Sequence, residues 1–427
     1  MFESATLLLV LLTPLAIAIL RSRRTTVADF VLNSNRSSLL QTIASIVGGN
    51  VGIGTFIAIF LFSNASPLIG ISLAVTYTAG LLLCALVAPR VHRASRDNDA
   101  FGLVDFIASA HGIGNPALIW LPVAVVFMLR TVVQVMALAA IVGAVFQLPF
   151  VQALGLSALL ASTYVVVGGY KAATETDIFQ VAIIVTVMVL ALFGLTFEFD
   201  RERDYLDLGP YKPILLLGIF LFIPLSPILA VDNWQRIATA PSPLVARRAY
   251  MIAALICGAI YTIIVMVALQ TGPATDVLER FRNLMPGGQR WLADAMFAAC
   301  IMSSIDTFVM PLVTTFARKG LSLRSLRALV AGLFLVVATV ALAIGDILSG
   351  IIAAFNSLTV FLPAVLGALL LRKPSPRAAV SSLCLGVVST LLLSTVDINS
   401  AALAGFLLSA ATYGLVHWVD RRRASLI

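Results

Sequence analysis

The polar side chains of this chain are few and fall in groups. Asp177 and Gln180 put a carboxylate and an amide where an apolar segment begins, after the stretch Tyr164-Val-Val-Val-Gly168-Gly169-Tyr-Lys-Ala-Ala-Thr-Glu-Thr176. That arrangement points to handling an ion. Ser303 and Ser304 put two hydroxyls inside a second apolar segment, and Asp306 and Thr307 follow about one helical turn later on a face they can share. A carboxylate there costs several kcal/mol unless it is paired, protonated or bound to a cation. Asp177, Asp306 and Thr307 could form a second cation site, Asp306 could carry a coupling proton, or it could neutralise an arginine. Arg130 and Gln134, four residues apart in a third segment, offer a fork of N–H donors plus an amide, suited to gripping a carboxylate. The rival reading pairs Arg130 with Asp306, and contacts with lipid or water are a third. No metal-ligand cluster and no paired nucleophile and base stands out, so an enzyme is not expected. Cys84, Cys257, Cys300 and Cys384 have no paired spacing, and neither a disulfide framework nor a zinc site is indicated.

The elements that must position these groups are membrane helices. Of 427 residues 60% are hydrophobic and 11% charged, and the mean hydropathy is +1.04, far outside the soluble range. Apolar runs long enough to cross a bilayer recur near 5–20, 38–63, 67–89, 116–147, 150–168, 177–197, 213–231, 249–271, 291–316, 328–345, 347–371, 378–395 and 399–418. About thirteen spans leave no room for a soluble domain. Glu3 precedes the first run and Arg21, Arg23 and Arg24 follow it, the reverse of a signal peptide's charge order. The run reads as a retained helix with its N-terminus outside and the C-terminus of the chain inside. Most of the 28 Lys and Arg then fall in cytoplasmic segments, Arg236 among them. Arg201, Arg203, Lys212, Arg280, Arg282 and Arg290 fall outside, and Arg130 alone lies within a span. The net charge of +8 needs no nucleic acid, since a cytoplasmic face meeting anionic lipid accounts for it. Trp120, Trp234, Trp291 and Trp418 fall at span ends as interfacial rings, and His92, His111 and His417 read as solvated.

Counted from the second span, two blocks of five helices have opposite topology, a common transporter plan. The first helix of each block carries an interruption, Gly48-Gly49-Asn50-Val51-Gly52-Ile53-Gly54 in one and Pro224-Leu-Ser226-Pro227 in the other. Unwound backbone at such breaks can coordinate a cation, although glycines also allow close helix packing. The glycines do not read as a nucleotide loop, because no Lys-Ser or Lys-Thr follows. Asn50, at the first break, and Tyr77 and Thr78, in the next span, could contact a solute or simply join helices. Phe127, Phe222 and Phe355 could line a cavity.

The pattern Gly168-Gly169, Ala172, Thr176-Asp177 and Gln180 resembles that of the sodium:solute symporter family, which includes the sodium/glucose and sodium/proline cotransporters. Asp29-Phe30, Gln235-Arg236 and Ala298-Ala299-Cys300-Ile-Met-Ser303-Ser304 are similar to further recurring elements of that family, and the resemblance covers nearly the whole chain. It implies an all-α membrane protein of the leucine-transporter type, with ten core helices as two inverted repeats. Residues 1–37 would be an extra helix and loop, 38–211 and 212–373 the repeats, and 374–427 two further helices. It also implies a sodium site from carbonyls of Gly48, Val51 and Cys300 and the hydroxyls of Ser303 and Ser304, with Asp177 taking part in sodium coupling or release. Asp177 has a plainer account too, as an acid stabilised by a helix N-terminus. Asp306 and Pro311 depart from the family pattern.

The expected activity is import of a small polar solute, carrying a carboxylate, by a sodium gradient, with no organic cofactor and no nucleic acid partner. A proton-coupled transporter on the same scaffold and a non-transporting sensor are the alternatives. The expected location is a bacterial inner membrane, crossed many times. The solute, the ion stoichiometry and the oligomeric state are open at this level.

Overall fold

The computed structural model describes residues 2–22, 25–97, 100, 102–195, 204–270, 276–317, 320–343, 357–371, 373–397 and 400–424. Described residues form helices joined by short turns, without a strand among them. In chain order the helices are α1 (Phe2–Ser22), α2 (Val27–Leu32), α3 (Leu39–Asn50), α4 (Ile53–Ala65), α5 (Pro67–Asp97), α6 (Leu103–Ala110), α7 (Ala117–Phe146) and α8 (Phe150–Phe193). There follow α9 (Pro213–Phe222), α10 (Ser226–Leu229), α11 (Val231–Thr239), α12 (Pro243–Gln270), α13 (Val277–Leu284), α14 (Trp291–Ala317) and α15 (Leu323–Ala343). The chain ends with α16 (Leu362–Leu370), α17 (Pro376–Ser394) and α18 (Ala401–Ala424).

Nine of these helices are long and apolar enough to cross a bilayer singly, and two bent pairs add two more crossings among the described residues. The chain is a multi-pass integral membrane protein. Side chains such as Leu20, Phe193, Leu255 and Leu335 are exposed where lipid would lie. α14 is the axis of the bundle: its most apolar stretch is wholly buried, whereas that of α18 is 17% buried.

Two of the thirteen expected spans, 150–168 and 177–197, are one 44-residue element, α8, kinked at Gly169. A straight helix of that length would run about 66 Å, twice the hydrocarbon core. Gly169 instead takes φ 61° and ψ −159°, a region reserved for glycine. A Cβ there would also strike the ring and carbonyl of Phe30 in α2. Tyr164 and Asp177, thirteen positions apart, consequently both reach α14. The expected span 347–371 and Phe355 lie in part or wholly outside the described residues.

Each broken span has a local cause. α3 starts with a capping box between Ser38 and Gln41 and ends at Val51 (φ −91°, ψ 25°), after which Gly52 opens α4 at a bend of 51°. The second bend, 46°, lies at Ala230 between α10 and α11, beyond the Pro224–Pro227 segment that the sequence singled out. Ile223–Leu225 there tightens into a 3₁₀ turn and the chain runs on. The span therefore extends to Thr239, and Asn233, Trp234, Gln235 and Arg236 lie in its second half, buried. This corrects two expectations. Arg236 is not a cytoplasmic loop residue, and Trp234, 4% exposed, is not an interfacial ring. The polar side chains belong inside because they satisfy the bend: Asn233 Nδ2 donates to Pro227 O at 2.8 Å and Trp234 Nε1 to Ile228 O at 2.7 Å.

His92 and His111 are also buried, not solvated. His92 Nε2 lies 2.9 Å from Ala240 O, and His111 Nδ1 lies 2.9 Å from Ile107 O. Four cysteines are free, as expected from their spacing.

Candidate cation and solute site

α3, α4, α7, α8, α11 and α14 converge where the first broken span unwinds. Gly48 and Gly52 face α14 so closely that a Cβ on Gly48 would collide with Ser303 Oγ and lie 3.0 Å from Ser303 Cβ and 3.4 Å from Asp177 Oδ1. A Cβ on Gly52 would collide with Ser304 Oγ and lie 3.6 Å from Gln134 Nε2. These glycines leave room for oxygen atoms. Ser304 Oγ sits 2.8 Å from Cys300 O and 3.3 Å from Gly48 O. Gly48, Cys300, Ser303 and Ser304, four of the five expected sodium ligands, are thus brought together, and Val51 stands at the break itself with its N–H bonded to Val47 O at 2.8 Å.

Two fully buried oxygens in this cradle are under-satisfied: Ser303 Oγ and Asp177 Oδ1 make no hydrogen bond of regular geometry, and Asp177 interacts with the Ser303 and Ser45 hydroxyls. Buried polar atoms are seldom left so. A hard monovalent cation with carbonyl, hydroxyl and carboxylate donors would satisfy both, so the residues present fit sodium. No group of three or more His, Cys, Asp or Glu gathers among the described residues.

Asp306 and Thr307 lie one turn along α14. Tyr164 Oη is 2.9 Å from Asp306 Oδ2 and 2.7 Å from Met302 O, and Thr307 Oγ1 is 3.3 Å from Asp306 Oδ1 and 2.8 Å from Ser303 O. Beside them is Arg236, 2% exposed, whose Nη2 donates to Thr307 Oγ1 at 2.8 Å, Nε to Ser45 Oγ at 3.0 Å and Nη1 to Asn233 Oδ1 at 3.2 Å. Nη1 also forms an ion pair with Asp232. Sequence reasoning missed Arg236, Asp232, Ser45 and Tyr164 as parts of the site. An Asp and an Arg four residues apart just beyond a proline-rich break was the available signal.

Arg130 is buried and stacks on aromatic rings, its Cζ 4.8 Å from the centre of Phe308 and 5.6 Å from that of Phe127. It interacts with the Tyr77 hydroxyl. Tyr77 Oη donates to Asn50 Oδ1 at 3.1 Å, and Asn50 O accepts from Tyr261 Oη at 2.8 Å. Gln134, buried with Oε1 unpartnered, completes the row from α7 to the break. Arg130, Gln134, Asn50 and Tyr77 are thus gathered around the unwound segment. Thr78 is not: its hydroxyl returns to Ala74 O at 2.8 Å and its methyl packs where a Cβ on Gly258 of α12 would lie 3.0 Å away. Gln180, one turn from Asp177, is fully buried with both amide atoms unpartnered.

No protein-family model matches the sequence, and no curated protein matches it either. Among solved structures, the substrate-bound outward-open state of a Na+-coupled sialic acid symporter, described with a novel Na+ site, superposes with a TM-score of 0.77. The match covers 98% of both chains at 14% identity. The chain accordingly has the all-helical fold of a membrane transporter.

Proposed function

We propose that the protein is a secondary active symporter of the sodium:solute type, which uses an inward sodium gradient to import a small polar solute carrying a carboxylate. The observation that carries this reading is the pair of buried, under-satisfied oxygens, Ser303 Oγ and Asp177 Oδ1, flanking Gly48 at a helix break. Sodium there is cargo, held by the carbonyls of Gly48, Val51 and Cys300 and the hydroxyls of Ser303 and Ser304, with Asp177 alongside. Uncharged donors keep binding weak enough for release on each cycle. Sodium would favour the outward-facing form by binding it more tightly than the inward-facing one, and the solute would complete closure. The carboxylate falls to Arg130 and Gln134, with Asn50 and Tyr77 at the solute's other edge. The carboxylate of sialic acid, the solute of the matched symporter, suits that fork. The two five-helix blocks, 38–211 and 212–373, would move against each other around this point, in a bacterial inner membrane.

The test is accumulation of radiolabelled sialic acid and a panel of small carboxylates by proteoliposomes under an inward sodium gradient, against an equal potassium gradient. Sodium-specific accumulation is expected. Uptake driven equally by a pH jump without sodium would replace this reading with proton coupling, which the burial of Asp306 favours. No accumulation of any panel member, together with no sodium binding, would point to a non-transporting protein.

A further inference from the structure

Arg236 is a permanent positive charge placed one helical turn along from the sodium cradle on two helices at once. Its hydrogen-bond acceptors Ser45 and Thr307 lie three residues before Gly48 and four after Ser303. The guanidinium presses against Gly49 so closely that a Cβ there would collide with it. Donors to Ser45 on α3, Thr307 on α14 and Asp232 and Asn233 on α11 fix it from three elements. Of the oxygens that a second cation would need, it engages that of Thr307 directly. Thr307 Oγ1 accepts from Nη2 at 2.8 Å, lies 2.8 Å from Ser303 O and has Asp306 Oδ1 3.3 Å away. Its one proton and one of its two lone pairs are thereby committed, the lone pair to the guanidinium. A metal ion at Thr307 would have to displace the guanidinium or sit against a like charge within a few ångströms in a buried setting, where the repulsion is least screened.

We infer that Arg236 is a tethered cation which, held on Thr307, keeps a second sodium ion from the place outlined by Asp177, Asp306 and Thr307, so that the protein binds one sodium ion and not two. The inference rests on the sodium reading above and specifies its stoichiometry. The side chain does the work of an ion that never leaves, linking α3, α11 and α14 through every cycle, while only the ion at Ser303 and Ser304 is exchanged.

The test is equilibrium binding of radioactive sodium to the purified full-length protein, counted per chain. One ion is expected for the wild type. Two would overturn the inference and leave the sodium reading intact, and none would sink the sodium reading itself. Arg236→Gln removes the charge and keeps an amide, and its count should rise to two. A count still at one would refute the role given to the guanidinium. Arg236→Lys keeps a positive charge near Thr307 and should remain at one, and two ions there would count against the inference. If Arg236→Gln does not fold, the wild-type and lysine counts still decide.

Discussion

Ser303→Ala should cut the stabilisation that sodium gives by about 1 kcal/mol without destabilising the sodium-free protein. Ser303 Oγ is buried beside Asp177 without a hydrogen bond of regular geometry. In sodium-free buffer its removal therefore relieves part of the cost of an under-satisfied hydroxyl, which is about 1–3 kcal/mol when complete, at the expense of a small loss of packing. The sodium-free variant should be at least as stable as the wild type. In sodium the balance shifts toward the wild type by about 1 kcal/mol. With a dissociation constant of about 10 mM, ~100 mM sodium stabilises the wild type by about 1.4 kcal/mol. If losing one hydroxyl ligand weakens binding about tenfold, the same sodium stabilises the variant by only ~0.4 kcal/mol. The assay is thermal unfolding of the detergent-purified proteins in sodium and in equimolar choline. A hydroxyl with a purely structural bond, such as one returned to its own helix, would give a variant destabilised equally in both salts. That result would refute the assignment.

Other substitutions test the remaining parts. Arg130→Lys keeps the charge but loses the planar fork and the stack on Phe308, so the KM for a carboxylate solute should rise about tenfold or more with sodium-induced stabilisation unchanged; an unaltered KM would remove Arg130 from recognition. Gly169→Ala forces a side chain into φ 61° against Phe30. It should cost at least about 1–3 kcal/mol from the backbone alone, seen as a lower unfolding midpoint, and an unchanged midpoint would mean that α8 does not turn as described. Trp234→Phe keeps the ring but strands Ile228 O. It should cost about 1–3 kcal/mol in either salt, since the second bend carries no sodium ligand.

How much of this was legible in the sequence depends on whether a side chain's partners lie close along the chain. The first break is announced by its own glycines, whereas the grouping of Gly48, Cys300, Ser303 and Ser304 is what the family resemblance implies and spacing alone would not give. Asp177 joins them because Gly169 kinks α8, a role that the glycine pair only hints at. The segment Asp232–Arg236 misled, because five largely polar residues after an apolar run look like its end. They are tolerated inside because the bend at Ala230 frees carbonyls that Asn233 and Trp234 satisfy, and because Arg236 finds acceptors more than seventy positions away at Thr307 and nearly two hundred away at Ser45. Hydropathy averages cannot see such pairings. The histidines fail for the same reason: His92 is neutralised in cost by Ala240 O, 148 positions distant.

The two bent spans treat their loosened backbone in contrary ways. At the second bend the carbonyls of Pro227 and Ile228 are closed off by side chains six residues downstream on the same strand of sequence. At the first, the carbonyls of Gly48 and Asn50 are left to hydroxyls of distant helices, Ser304 and Tyr261. The second is therefore an elbow held by its own segment. The first depends on its neighbours, and an ion that replaces a neighbour's hydroxyl changes the forces on it directly. Of two similar bends, one is thus closed by its own segment and the other is held open to partners on distant helices.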